Sequence, residues 1–318
     1  MVLSAPETSQ MYIDDAFAGY WLDKRRNLSP HTIRDYMLTF DRLRASLGPG
    51  ATIENITPDD LRRFLADVQT AYGLSPKTLA NVWIALSSLW TWAEKEIGIP
   101  HALRGRVERP RYRRPPILPY DRLEVIALVA ATAEAAGWDS TNGKRTRSRR
   151  PTASRDRAIL LTLVDTGIRA QELCDLTLSD FDARRNQMLV RQGKGRKSRY
   201  VYLGQSAHKA IWKYLATRPA ATGDAPLFAT RTETHLDRNA LRHMIERCAK
   251  RAGVAAPGVH RFRHTFAVNF LRNGGNVLEL QALLGHEKID TVRIYASLAE
   301  IDLQNAQRRA SPADNWRL

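Results

Sequence analysis

Cysteine is scarce in this chain: two residues in 318, Cys174 and Cys248, with no CxxC or other ligand-like spacing between them. That excludes a cysteine-ligated metal site and points to a reducing compartment. Long apolar runs are missing as well. The longest, around residues 125–136, is broken by Thr132 and Glu134 and is too short to span a bilayer. Residues 1–10 lack a basic stretch followed by an apolar one, so no secretory leader is expected and the expected location is the cytoplasm. Three catalytic signatures are absent too. There is no GxxxxGK[ST] loop for a nucleotide and no GxSxG elbow for a serine nucleophile. "HEKID" at His286 is not HExxH, because Asp290 stands where the second zinc-ligating histidine would be. "GKGRK" at 193–197 sits between two strand patterns, not between a strand and a helix, so it is no phosphate loop of the usual kind. No metal, nucleotide or other cofactor is indicated. Acidic residues are in short supply, 33 against 49 Lys+Arg, for a formal net charge of +16. Such a surplus points to a polyanionic partner, with nucleic acid favoured over an anionic membrane surface.

What is present is room for two domains, with 43% hydrophobic residues to fill their cores. Residues 12–99 read as helices. Ser29-Pro30 and Ser75-Pro76 each place a capping hydroxyl before a proline suited to the first helical position, and Thr57-Pro58 opens a shorter helix. Apolar residues then recur at helical period: Ile33, Tyr36, Phe40 and Leu43; Leu61, Phe64, Leu65 and Val68; Leu79, Val82, Trp83, Leu86 and Trp90. This predicts a compact four-helix domain preceded by a first helix over Ile13–Lys24, the whole spanning residues 1–104, with Trp83 and Trp90 in its core. "RGRVERPRYRRPPILP", 104–119, has no helical period, and its prolines make residues 105–119 an extended linker. Its arginines suit a strap along phosphates.

Residues 120–318 form the second predicted domain. It opens with a helix over 123–136, followed by a polar, basic loop over 137–155. That loop is either a plain surface excursion or a further contact with DNA or a partner subunit. Ser154 is expected to cap a helix over 157–164. Residues 183–204 alternate like two strands joined by a glycine turn at 193–195. Helices are expected at 206–217, 239–252, 262–273 and 277–284, with a last amphipathic one over 298–309. The fold class is mainly α with a small β-sheet, in two domains.

"GHEKIDTVRIY", 285–295, places His286 nine residues before Tyr295. Alone, Tyr295 reads equally as a core aromatic. Other cations have local signatures: Arg169 in "TGIRAQEL", Lys194 in the hairpin turn, His260 and Arg263 in "HRFRHTF". Singly, each has an ordinary surface or capping reading. In the order Arg, Lys, His-x-x-Arg, His, Tyr, they resemble the tyrosine recombinases, the phage integrase or Xer/Cre-like family. The resemblance is close over residues 156–296, and the N-terminal helices look like that family's SAM-like core-binding domain.

The resemblance implies a site-specific DNA recombinase with an α+β catalytic domain and catalytic residues Arg169, Lys194, His260, Arg263, His286 and Tyr295. Tyr295 would attack a phosphodiester, forming a 3′-phosphotyrosyl ester that keeps the bond energy, so that neither metal nor ATP is required. Arg169 and Arg263 would fork onto the phosphate, which suits guanidinium better than ammonium. His286 would add a donor, Lys194 would protonate the leaving 5′ oxygen, and His260 would take or share the tyrosine proton. Glu172 is expected to buttress Arg169, and His264 to be structural. The implied partners are double-stranded DNA and further copies of the chain, in a tetrameric synapse associated with the nucleoid, with no membrane. The implied purpose is integration or excision of a mobile element, or Xer-like resolution. Helices that begin within the first dozen residues leave no room for an arm-binding domain. Two other readings stay open: a type IB topoisomerase and a non-catalytic DNA-binding regulator.

Overall fold

The computed structural model of the chain describes residues 10–113, 118–133, 150–191, 198–218, 221–255, 257–285, 294–296, 307 and 311–316, and the backbone of 138–139 and 145–146. It divides into two units, Met1–Pro115 and Pro116–Leu318.

The first unit is built on α1 (Ile13–Lys24), α2 (Pro30–Leu47), α3 (Pro58–Tyr72) and α4 (Pro76–Glu96). Among the described residues this unit has four α-helices and two short 3-10 helices, Arg25–Asn27 and Ile53–Asn55, with Ile13–Lys24 one of the four instead of an addition to them. The expected caps are present. Ser29 and Ser75 accept the N–H of Thr32 and Thr78 at 3.1 and 3.2 Å, and Thr57 and Asp60 form a reciprocal capping box. Leu86, Leu89, Trp90 and Ala93 of α4 are fully buried, and Phe17 stacks on Phe40 at 4.8 Å. Trp83 is half-buried and its indole N–H donates to the Val107 carbonyl at 3.2 Å. Ala102, Leu103 and Val107 belong to the same core. Packing onto the helices therefore continues into the segment read as linker, as far as Val107. Residues 114–117 of that segment lie outside the described residues.

The second unit begins with α5 (Arg122–Ala130), opened by an Asp121–Glu124 capping box. It stops short of the expected end at 136. The chain turns instead, with the Thr132 hydroxyl bonded back to Val129 O at 2.7 Å and the Ala131 carbonyl taken by Arg251 at 2.9 Å. Within the expected loop, β1 (Trp138–Asp139) and β2 (Arg145–Thr146) pair antiparallel. α6 (Ala153–Thr166) starts earlier than predicted and its N-cap is Thr152, not Ser154. Asp156 decides this. Its carboxylate is fully buried and held by Arg150 at 2.9 Å, Arg155 at 2.8 Å and the Thr152 hydroxyl at 3.0 Å, which winds the first turn inward.

After α7 (Ala170–Asp175) comes an antiparallel sheet of β3 (Phe181–Asp182), β4 (Gln187–Val190) and β5 (Arg199–Tyr202), in that spatial order. β3 was not predicted, because two residues show no alternation. Met188, Val190 and Val201 point into the core while Tyr200 and Tyr202 are exposed. The glycine turn between β4 and β5 lies outside the described residues. α8 (Gln205–Leu215), α9 (Arg238–Ala252), α10 (Val259–Arg272), α11 (Val277–Leu284) and α12 (Pro312–Trp316) complete the unit. α6 is its central helix, packed between α8 and α10. The helix expected over 298–309 falls on residues that are not described, apart from Gln307. Among the described residues no helix is long and apolar enough to cross a membrane.

Candidate active site

The site is organised around the end of α6. Gly167 closes that helix in the left-handed region at φ +60°. A Cβ there would stand 2.5 Å from Phe266 of α10 and 3.1 Å from Leu284 of α11. Glycine thus serves both the conformation and the close approach of the two helices. Two residues on, Arg169 is the N-cap of α7, and Glu172 accepts its backbone N–H at 2.8 Å and its Nη1 at 2.7 Å.

Glu172 has a second guanidinium. Arg199, at the start of β5, forks onto it with Nη1 and Nη2 at 3.0 and 2.8 Å, and its Nε donates to Leu283 O at 2.7 Å. Both side chains are about a tenth exposed, Arg199 at 9% and Glu172 at 11%. Burial pushes the Glu172 carboxyl up, but the Arg199 hydrogen bonds, the Arg169 N–H and the nearby charge overcome it and hold it at about 2. Glu172 is therefore an anchored carboxylate rather than a base.

Arg263, in α10, is buried at 4% exposure. Its Nη1 donates to Gly167 O and its Nη2 to Leu284 O, both at 2.8 Å. At least two of its donors thus join the Arg169 turn to the end of α11. Burial, and then the charge of Arg169, pull its pKa down to about 10. It stays a cation at neutral pH, near Glu172 and the two guanidiniums, Arg169 and Arg199, that are bonded to that carboxylate.

His260 lies in the first turn of α10, which begins three residues before its expected start. Burial and the charges of Arg263 and Arg169 lower its pKa. His264, one turn further, faces Tyr295: its Nδ1 is 2.9 Å from the phenolic oxygen. Burial, then His260 and Arg263, hold its pKa down as well. The Tyr295 ring is 4% exposed and packs with Ala267, Val268, Leu271, Leu280 and Leu284. Burial raises its pKa, against the opposing charges of Arg263 and Arg169. Tyr295 is thus a core aromatic by its ring and a hydrogen-bonded polar group by its oxygen.

The structure therefore brings together Arg169, His260, Arg263 and Tyr295. Lys194 and His286 lie outside the described residues. Two members escaped the sequence reading. Arg199 is in phase with buried Val201, an inward strand position where a charge is unusual. His264, expected to be structural, is four residues after His260 and so shares its helix face. Among the described residues no group of His, Cys, Asp and Glu is arranged to hold a metal ion.

Comparison with known proteins gives the family. Residues 142–301 match the profile of the Phage integrase family, and residues 17–96 match that of the Phage integrase, N-terminal SAM-like domain. Tyrosine recombinase XerC of Corynebacterium glutamicum is 32% identical over 309 residues, covering 97% of this chain and 94% of the relative. Tyrosine recombinase XerC of Mycobacterium tuberculosis is 32% identical over 293 residues, covering 89% and 93%. Among solved structures, XerH site-specific recombinase bound to palindromic difH substrate superposes with a TM-score of 0.67 at 21% identity, covering 97% of this chain and 91% of that one. A lambda integrase tetramer bound to a Holliday junction gives 0.69 at 17% identity, covering 90% and 78%. Both show a shared two-domain fold. The chain belongs to the phage integrase family and is a tyrosine recombinase.

Proposed function

We propose that the chain cuts and rejoins double-stranded DNA at a specific site through a 3′-phosphotyrosyl intermediate on Tyr295. The observation that carries this reading is the cluster itself: Arg169, Arg199 and Arg263 around the single carboxylate Glu172, next to a hydrogen-bonded tyrosine hydroxyl. Among the described residues, three cations against one carboxylate leave two positive charges in surplus, which suits a phosphodiester and the further negative charge that develops on it during attack. Tyr295 Oη attacks phosphorus, the P–O5′ bond breaks, and the 5′ oxygen takes a proton from Lys194. Arg169, Arg263 and His286 stabilise the charge on the non-bridging oxygens. His260, kept neutral by burial and by the charges of Arg263 and Arg169, takes or shares the tyrosine proton. Attack of a 5′ hydroxyl on the tyrosyl ester restores the phosphodiester, so the exchange needs neither a metal nor a nucleotide.

The helical unit grips the same duplex, and four copies assemble on two sites. XerC relatives that match nearly end to end favour a Xer-like exchange over integration of a mobile element. The test is direct. Wild type and Tyr295→Phe are incubated with sheared genomic DNA from the source organism and denatured, and DNA left covalently on protein is sequenced. Adducts on wild type alone, enriched in one sequence, are expected. Scattered adduct sequences would favour topoisomerase action, and adducts on the phenylalanine variant would remove Tyr295 as nucleophile.

A further inference from the structure

Tyr295 has a problem that its neighbours do not solve by charge alone. A phenol must lose its proton as it attacks. Arg263 and Arg169 favour the phenolate, but burial outweighs them and the group stays a hydroxyl at neutral pH. Something within hydrogen-bond reach has to accept that proton. Among the described residues, the partner of the hydroxyl is His264, with Nδ1 at 2.9 Å and the two rings 5.6 Å apart, centroid to centroid.

We propose that His264 is the proton acceptor for Tyr295, holding the hydroxyl through Nδ1 at rest and taking its proton as the oxygen attacks phosphorus. The inference rests on the reading of Tyr295 as nucleophile and moves a role from His260 to a residue four positions away. In the step, the Oη–H bond breaks and the proton passes to Nδ1. The freed electron pair forms the Oη–P bond, the P–O5′ bond breaks, and the 5′ oxygen is protonated by the acid already named. The reverse step returns the proton from His264 to the departing tyrosine oxygen.

Three features support the assignment. First, the sense of the bond follows from acidity. A phenol is a far better donor than a neutral imidazole N–H, and an imidazole nitrogen is the better acceptor. Second, the groups around His264 keep it able to accept. Burial, then the charges of His260 and Arg263 on its own helix, keep it unprotonated at rest, so Nδ1 is open to accept from the Tyr295 hydroxyl that faces it; the imidazolium forms only as negative charge builds on the phosphate. Third, the placement is rigid. His264 is flanked by buried Arg263, tied to Gly167 and Leu284, and by buried Thr265, whose hydroxyl accepts the Tyr120 N–H at 2.7 Å. His260, one turn earlier, shares the helix face of His264.

The experiment uses a duplex recovered from wild-type adducts, nicked beside the scissile bond so that the cut fragment leaves and the adduct accumulates. Single-turnover adduct formation is followed from pH 6 to 10 for wild type, His264→Leu, His264→Asn and Tyr295→Phe, with DNA affinity and thermal midpoint measured on each. At pH 7 the leucine variant is expected to be slower by about 10²–10⁴-fold, the usual reach of a positioned base, with affinity unchanged. Its rate then climbs about tenfold per pH unit as tyrosine ionises unaided, while wild type is flat. The asparagine variant keeps an acceptor oxygen but takes no proton, so it shows the same climb even where leucine disturbs folding. Rates for both variants within about threefold of wild type, or slow at every pH without the climb, would overturn the role of His264. Adducts on Tyr295→Phe would instead sink the nucleophile reading, and this inference with it.

Discussion

Replacing Arg199 by methionine should loosen the catalytic unit in a way that depends on acid. The side chain is 9% exposed and makes three hydrogen bonds, two to Glu172 and one to Leu283 O. Methionine fills similar volume and supplies none of them. Holding the Glu172 carboxyl at about 2 instead of its ordinary 4.5 corresponds to about 3 kcal/mol at neutral pH, the ceiling on what Arg199 contributes this way, since the Arg169 hydrogen bonds supply part of it. Stripping one partner from a buried ion pair costs a similar amount, about 3–5 kcal/mol. For a unit of this size, about 3 kcal/mol lowers the thermal midpoint by roughly 6–12 °C. Because the folded pKa is depressed, this stability is fully present above the unfolded value of 4.5 and is lost as pH falls toward 2. The assay is circular dichroism melting of wild type and Arg199→Met at several values between pH 7 and 3. The gap should be wide at pH 7 and should narrow below about 4.5. Midpoints equal within about 2 °C at pH 7, or a gap that stays constant down to pH 3, would refute the account of Glu172 as a carboxylate anchored by Arg199.

Other outcomes follow from the same contacts. Gly167→Ala should cost about 2 kcal/mol or more in urea denaturation, since it combines a left-handed backbone with a Cβ 2.5 Å from Phe266. It should also slow cleavage, because the Gly167 carbonyl holds Arg263. Thr57→Ala removes the capping box of α3 and should lower the stability of the helical unit by about 1 kcal/mol. The loss is read from the midpoint of a urea titration followed by circular dichroism, and an unchanged midpoint would refute the capping account.

The helical unit was the more legible of the two. Ser29, Thr57 and Ser75 act on N–H groups within three residues, and the α4 stripe through Leu86 and Trp90 repeats at the helix's own period. The misses lie where distant partners intervene. The α5 end was misjudged because Arg251, 120 residues away, takes a carbonyl there. The α6 start was misjudged because Ser154 is as good a cap by type as Thr152, and buried Asp156 chooses between them. β3 is too short to carry any pattern.

By itself the sequence determined the caps of α2, α3 and α4, the apolar faces, the two-part layout and the order of the cationic motifs. All of these depend on residue type and on spacing of a few positions, which backbone geometry reads directly. Only the tertiary structure decided what the motifs do to one another. Arg199 reaches Glu172 across 27 residues and Leu283 across 84, Arg263 reaches Gly167 across 96, and His264 meets Tyr295 across 31. Those distances close only when α10 and α11 settle against the glycine end of α6. The role of a buried guanidinium or imidazole is then set by which carbonyl, carboxylate or hydroxyl the packing brings to it.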